Sequence, residues 1–212
     1  MTSYVVFGLP GSGKGTLAPF LQQHAHVVQM CSGDLLRTEA KRNMQLQEQL
    51  QKGVSIQDSY VTRLVMARLQ ELCRSKTKFI LDGFPQSEKQ KEAMELLFAN
   101  NPDLNVQFII IDVEKEIALK RMASRFSCIE CFEIFNSETR PSQKSGKCDY
   151  CLGSLKQRAT DVGEAAKERL KSYEQTTRPI IEYYRQKSKT LVFDGNQPLE
   201  KILEGYKGIV QK

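Results

Sequence analysis

The segment Gly8-Leu9-Pro10-Gly11-Ser12-Gly13-Lys14-Gly15-Thr16 constrains this chain more than any other stretch. It follows the short apolar run 4–7 directly and opens a helical pattern that continues through Leu17 and Phe20 to Leu21, so it is a strand-to-helix turn. Glycines in such a turn let successive backbone N–H groups face one centre, and the helix N-terminus adds positive potential. Lys14 contributes a point charge, and Gly8, Gly13 and Lys14 stand at Walker A spacing. The loop is an anion cradle, with Gly11, Ser12, Gly13, Lys14, Gly15 and Thr16 as candidate contacts. The hydroxyl residue that usually follows the lysine is displaced by one place: Gly15 comes first and Thr16 second.

Short apolar runs alternate with longer helical patterns along the chain, the signature of a parallel sheet covered by helices, so the class is α/β. Candidate strands are 4–7, 27–30, 79–81, 106–111 and 191–193, which would make five parallel strands. Between the second and third of these regions, stretches 34–43, 46–51 and 58–74 all read as helical, more than one crossover needs. That excess predicts a small helical insertion at 31–56. A second departure, 124–161, carries cysteines, Gly146, Gly153 and Pro141 and reads as a separately stabilised insert. The core would then be 1–30, 57–123 and 162–212, a division consistent with 212 residues at roughly 150 per domain.

With 40% hydrophobic and 26% charged residues the chain has material for a packed core and is unlike a disordered one. Apolar runs such as 108–111 fall far short of the ~20 residues of a membrane span, and residues 1–8 lack the parts of a secretory signal. The expectation is a cytoplasmic protein with no membrane partner. Lys and Arg number 31 against 25 Asp and Glu, a net charge of +6 that suggests an anionic partner.

In a reducing compartment, six cysteines argue for metal binding more than for disulfides. Cys128-x2-Cys131 and Cys148-x2-Cys151, sixteen residues apart, have the spacing of a four-thiolate zinc site, with two disulfides as the alternative. Four thiolates leave no open coordination position, so the metal would be structural. Cys31 and Cys73 read as small packing residues, and His24 and His26 are assigned no role.

Two further motifs follow predicted strands: Ser32-Gly33-Asp34 and Asp82-Gly83-Phe84-Pro85. Both fall at the carboxyl ends of strands, where open α/β sheets bind ligands. Asp34 alone reads as a helix N-cap, whereas Asp82 closing Phe79-Ile80-Leu81 matches a Walker B carboxylate that organises Mg²⁺. Arg178-Pro179 predicts a bend or break in the helical stretch after Arg169.

The phosphate loop, Ser32-Gly33-Asp34-Leu35-Leu36-Arg37 and Leu81-Asp82-Gly83-Phe84-Pro85 together resemble the fingerprint of the adenylate kinases, over nearly the whole chain to Asp194-Gly195. That resemblance implies a P-loop NTPase-like fold, reversible transfer from MgATP to AMP giving two ADP, a nucleotide-binding insertion, a lid that here carries zinc, and a monomer that binds no nucleic acid. It places ATP on the phosphate loop with Arg121, Arg125, Ile134, Phe135 and Gln197, and AMP at Ser32, Arg37, Val54, Ile56, Gly83, Gln86, Gln90, Arg158 and Arg169. Phe135 stands where many relatives have tyrosine. Catalysis would fall to Lys14, Asp82, Arg121, Arg125, Arg158 and Arg169, because phosphoryl transfer asks the protein chiefly for charge neutralisation and alignment. Arg121 and Arg125, four apart after the fourth strand, are expected on one helical face. The family usually has arginine at the position of Gln86, so turnover is expected to be reduced or compensated. Ser32 in place of threonine leaves a kinase for another nucleoside monophosphate as an alternative. A nucleic-acid-binding P-loop ATPase is the more distant one.

Overall fold

A computed structural model describes residues 2–210. β1 (Thr2–Gly8) runs through the phosphate loop into α1 (Lys14–Ala25), and β2 (Val28–Cys31) leads into α2 (Ser32–Ala40), α3 (Met44–Gln51) and α4 (Asp58–Arg74). β3 (Phe79–Asp82), α5 (Glu88–Ala99), β4 (Asn105–Asp112) and α6 (Lys115–Ala123) complete the first part of the core. A small antiparallel sheet follows, made of β5 (Arg125–Cys128), β6 (Ile134–Asn136) and β7 (Leu155–Lys156) in the order β6-β5-β7. The chain returns through α7 (Gly163–Ser172), α8 (Arg178–Arg185), β8 (Thr190–Asp194) and α9 (Leu199–Val210).

The five core strands pair in parallel in the order β2-β3-β1-β4-β8, as the alternation of apolar runs and helical patterns requires. Side chains on a strand alternate between faces, and the core divides accordingly. Val5, Phe7, Phe79, Leu81 and Ile110 pack with Val65 and Leu69 of α4, Met94 of α5, and Ile180, Ile181 and Tyr184 of α8. Tyr4, Val6, Ile80, Ile109 and Ile111 pack on the opposite face with Leu17 and Leu21 of α1 and Ile202, Tyr206 and Ile209 of α9. A strand buried on both faces needs apolar residues at every position, hence the uninterrupted Ile109-Ile110-Ile111.

Four local expectations are corrected. Arg121 and Arg125 do not share a helical face: α6 stops at Ala123, and Arg125 opens β5. Ser124 ends the helix, its Oγ donating to the Lys120 carbonyl at 2.9 Å and accepting from Asn136 Nδ2 at 2.9 Å, so a tertiary contact to β6 outweighs helix continuation. Asp34 lies in the first turn of α2, where Cys31 holds the N-cap position. Asn43 does not end α2; its Oδ1 caps α3 by accepting from the Leu46 N–H at 3.1 Å. Arg178-Pro179 does not break the helical path. A π-helical turn, Tyr173–Thr177, widens it, and Pro179, lacking an N–H, sits in the first turn of α8 where no donor is needed.

The register brings Gly8 opposite Ile111, Val6 and Cys31 opposite Asp82, and Asp112 opposite Asp194, so the phosphate loop and the loops after β2, β3, β4 and β8 meet at one sheet edge. Gly195 closes that edge. A Cβ there would lie 2.7 Å from the Asp112 carbonyl oxygen, 2.8 Å from Ile111 Cγ2 and 3.2 Å from the Ser12 carbonyl oxygen. Two of these neighbours are backbone atoms that cannot swing aside, so Gly195→Ala is expected to cost about 1–3 kcal/mol as overpacking, read as a lower urea midpoint at unchanged m-value.

Candidate active site

A cavity of about 1100 Å³ opens at this edge, between the phosphate loop, α2, the end of β3 and the small antiparallel sheet. Gly13, with φ 105 in the left-handed region, is the N-cap of α1 and turns the loop so that the helix begins at Lys14. Lys14 Nζ donates to the Gly8 and Leu9 carbonyls at 2.6 and 2.9 Å. Burial lowers the pKa of Lys14; Asp82 opposes that shift, while Arg169 and Arg125 reinforce it. Burial likewise raises Asp82 against the pull of Lys14. The pair therefore faces one another across a desolvated floor, where electrostatic interactions are strong.

The arginines arrive from separate elements. Arg37 projects from α2 and Arg121 from the last turn of α6, Arg125 begins β5, Arg158 precedes the 3₁₀ turn Ala159–Asp161, and Arg169 is on α7. All five line the cavity. Asp161, 1% exposed, organises two of them: its Oδ2 and Oδ1 accept from Arg125 Nε and Nη2, each at 2.7 Å, and Oδ1 also accepts from Arg169 Nη1 at 2.7 Å. Arg121 Nη1 donates to the Gly195 carbonyl at 2.7 Å, and Arg158 Nε to Ser127 Oγ at 3.2 Å. Arg37 pairs with Asp34, yet its Nε is buried without a partner. Arg158 feels the crowding most: burial, then the charges of Arg37 and Arg125, push its pKa down to about 10. Such a cluster is electrostatically incomplete and is suited to a polyanion.

Most residues singled out from sequence meet here. Gly11, Gly13, Lys14, Gly15, Thr16, Ser32, Arg37, Val54, Asp82, Gly83, Gln86, Ile134 and Gln197 line the cavity with the arginines. Four others do not. Ser12 is fully buried beneath the loop. Phe135 points the other way: strand alternation leaves Ile134 facing the cavity and sends the Phe135 ring, 3% exposed, among Cys128, Cys148, Phe126 and Leu155. Gln90 is 3% exposed, its Oε1 accepting from the Gln86 N–H at 2.7 Å and its Nε2 donating to Asp58. Ile56 stands outside the lining, where Gly53, Val54 and Ser55 take the place at that loop. Gln86 is exposed and donates from Nε2 to the Gly83 carbonyl at 2.7 Å, sharing that acceptor with Ser32 Oγ at 2.6 Å.

Sequence reasoning missed Asp161, Arg140 and Cys31. Asp161 has no motif, and the signal available was a carboxylate three residues beyond Arg158. Arg140 lines the cavity from a polar loop, paired with Glu133 at 2.7 Å. Cys31 lines it rather than packing in the core, and burial with the nearby Asp82 and Asp34 charges pushes its thiol up to about 12, which leaves it unreactive. Cys73 does pack against the core.

The four remaining cysteines are free thiols gathered at the tips of the two cysteine loops. Their Sγ atoms lie within 4.8 Å of one another, with contacts of 3.4 Å between Cys128 and Cys151, 3.4 Å between Cys131 and Cys151, and 3.6 Å between Cys131 and Cys148. Tetrahedral zinc with ~2.3 Å bonds needs sulfur separations of about 3.8 Å, so the cluster fits a four-thiolate metal. Burial raises the Cys128 and Cys131 thiols; backbone N–H donation and the neighbouring sulfurs bring Cys128 below its ordinary value, while the same neighbours hold Cys131 above it.

A family model described as adenylate kinase matches residues 6–189. The chain is similar to adenylate kinases of Caldicellulosiruptor saccharolyticus, 36% identical over 200 residues and 92% of each chain, and Clostridium tetani, 32% identical over 211 residues and 97% of each. The adenylate kinase of Petrotoga mobilis is 34% identical over 200 residues, 92% of this chain and 91% of its own. The chain belongs to the adenylate kinase family, enzymes that transfer phosphoryl groups between nucleotides.

Replacing Asp161 by asparagine removes the charge that holds Arg125 and Arg169 together and leaves two cations repelling one another. Asp161→Asn is expected to lose about 2–3 kcal/mol in urea denaturation and at least about tenfold in turnover.

Proposed function

We propose that the cavity seats MgATP on the phosphate loop and AMP beneath α2 and the loop at Val54, and that the chain interconverts ATP plus AMP with two ADP. The observation that carries this reading is the convergence of Lys14, Arg37, Arg121, Arg125, Arg158 and Arg169 on one desolvated cavity. ATP and AMP bring about six negative charges, and phosphoryl transfer succeeds when those charges are neutralised and donor and acceptor are held in line. Gly11, Ser12, Gly13, Lys14, Gly15 and Thr16 would wrap the ATP phosphates, with Ser12 contributing through its backbone. Arg121, Arg125, Ile134 and Gln197 would border the same nucleotide, Phe135 through its backbone alone. Ser32, Arg37, Val54, Ile56, Gly83, Gln86, Gln90, Arg158 and Arg169 would form the acceptor side, where Gln90 must exchange its bond to Asp58 to reach a base. Arg125 from the donor side and Arg158 and Arg169 from the acceptor side would then meet close to the group in transit.

Asp82 is the residue to hold Mg²⁺, directly or through water; when bound, the ion neutralises charge between the donor phosphates. Cys128, Cys131, Cys148 and Cys151 would hold a structural zinc. Residues 31–56 act as the acceptor insertion and 124–161 as a lid that excludes water from the reacting phosphates, the rest being the core. The proposed working unit is a monomer. Among the described residues no helix is long and apolar enough to cross a membrane. Neither alternative raised by the sequence gains support: the relatives are adenylate kinases, and the cations line a cavity rather than a surface stripe.

Production of ADP from ATP should require AMP; AMP-independent hydrolysis as the main reaction would overturn the reading. Gln86 brings no charge to the acceptor phosphate, so Gln86→Arg is expected to raise kcat by about tenfold. An unchanged or lower kcat in that variant would reject Gln86 as the limit on catalysis. Purified protein should carry about one zinc per chain, lost in Cys128→Ser together with several degrees of Tm, and released as pH falls because protons compete for the thiolates.

A further inference from the structure

Phe132 follows the first cysteine pair and is not itself among the residues that line the cavity, yet it holds a backbone of φ 64. Leu152, which follows the second cysteine pair, holds φ 63, so this left-handed turn belongs to the cysteine clip itself, and what sets Phe132 apart is the contact its ring makes. The contact is made across the cavity mouth. The Arg37 guanidinium lies 5.3 Å from the Phe132 ring centroid and the Lys41 ammonium 5.1 Å from it. Arg37 lies in the last turn of α2 and Lys41, four residues on, is its C-cap in helical conformation, so the end of the helix presents both on one side. Glu130, from the same cysteine loop, reaches the same lysine, which donates to its carbonyl at 3.0 Å and pairs with its carboxylate at 3.5 Å. The stem of Glu130 rests in turn on Gly153 in the second cysteine loop, where a Cβ would come within 2.9 Å of Glu130 Cγ and 2.8 Å of Cys128 Sγ. The cysteine clip therefore holds Phe132 from behind while the ring meets α2 in front.

An aromatic face attracts a guanidinium without neutralising it, so Arg37 keeps its charge and its unpartnered Nε for an incoming phosphate. Asp34 already pairs with Arg37, and a second carboxylate in the place of the ring would compete further with that phosphate. We propose that Phe132 is a positioning residue: braced by the cysteine clip, its ring sets Arg37 and Lys41 of α2 and so ties affinity for the acceptor nucleotide to the zinc-bearing lid. This rests on the assignment of Arg37 to the acceptor phosphate made above.

The test is steady-state kinetics of the zinc-loaded full chain as wild type, Phe132→Leu, Phe132→Tyr, Phe132→Gly and Lys41→Met, with zinc content and Tm measured on each. Phe132→Leu keeps the bulk and loses the aromatic face; it should raise KM for AMP about three- to tenfold with KM for ATP within about twofold. Phe132→Tyr should restore the wild-type KM. Phe132→Gly should show the same rise in KM for AMP at full zinc content and a Tm equal to or above wild type, because the positive φ is relieved; a merely structural role would lower both together. Lys41→Met, made from the other side of the contact, should raise KM for AMP in wild type and have less effect in Phe132→Leu. An unmoved KM for AMP in Phe132→Leu, an equal rise for both nucleotides, or failure of tyrosine to restore it would overturn the proposal, and the leucine and tyrosine variants decide should the glycine variant lose its metal. If wild type itself forms no AMP-dependent ADP, the reading of the site falls and this inference with it; wild-type turnover with unmoved variants rejects the inference alone.

Discussion

Mutual repulsion among cations is the constraint on which the rest of this structure depends. Lys14 and five arginines are brought to one cavity, and Arg158 is pushed down to about 10 by burial and by its neighbours Arg37 and Arg125. Asp161 holds two of these charges from a position 1% exposed, where its carboxylate is screened little by water. Arg121 and Arg158 are steadied by neutral groups, a carbonyl at Gly195 and a hydroxyl at Ser127, and Arg37 by the Asp34 carboxylate with the aromatic face of Phe132 beside it. Neutral partners orient a guanidinium while leaving its charge for a polyanion. An all-carboxylate solution would have produced a more stable protein with a weaker site.

The sheet supplies the rigidity this arrangement needs. Val5 and Phe7 face one layer of helices and Tyr4 and Val6 the other, so β1 is clamped on both sides where it delivers the phosphate loop. Gly195 lets β8 approach the same loop at backbone distance. By contrast, the antiparallel sheet has a small cluster of Cys128, Phe135, Cys148, Phe126 and Leu155 as its core, too little apolar area to hold the segment alone. Four gathered thiols would make good that deficit by holding a metal, and the same clip reaches across to α2 through Glu130 and Phe132.

What could be read without coordinates was local. The phosphate loop announced itself because its glycines, lysine and following helix are contiguous, and the five strands because both faces of the sheet are buried, which makes their apolar runs unbroken. Cysteine spacing disclosed the clip for the same reason. The failures share a cause as well. Arg125 was placed on a helix because i,i+4 spacing cannot register that Ser124 is bonded to Asn136. Phe135 was turned toward the ligand because the phase of a three-residue strand depends on its neighbours in the sheet. The bond between Gln90 and Asp58, 32 positions away in the chain, is likewise invisible to the motif that assigns Gln90 to a base.

Composition and motif by themselves determined an α/β chain with a phosphate cradle at a sheet edge and a four-cysteine clip, because each of these is written in residues close together. Only the tertiary structure decided which arginines share Asp161, which face of β6 meets the cavity, and that a strained phenylalanine in the clip touches the helix carrying Arg37. Electrostatic and aromatic contacts act through space over a few ångströms, and residues 36 or 89 positions apart, as in Arg125 with Asp161 and Lys41 with Glu130, acquire that proximity only when the core has packed.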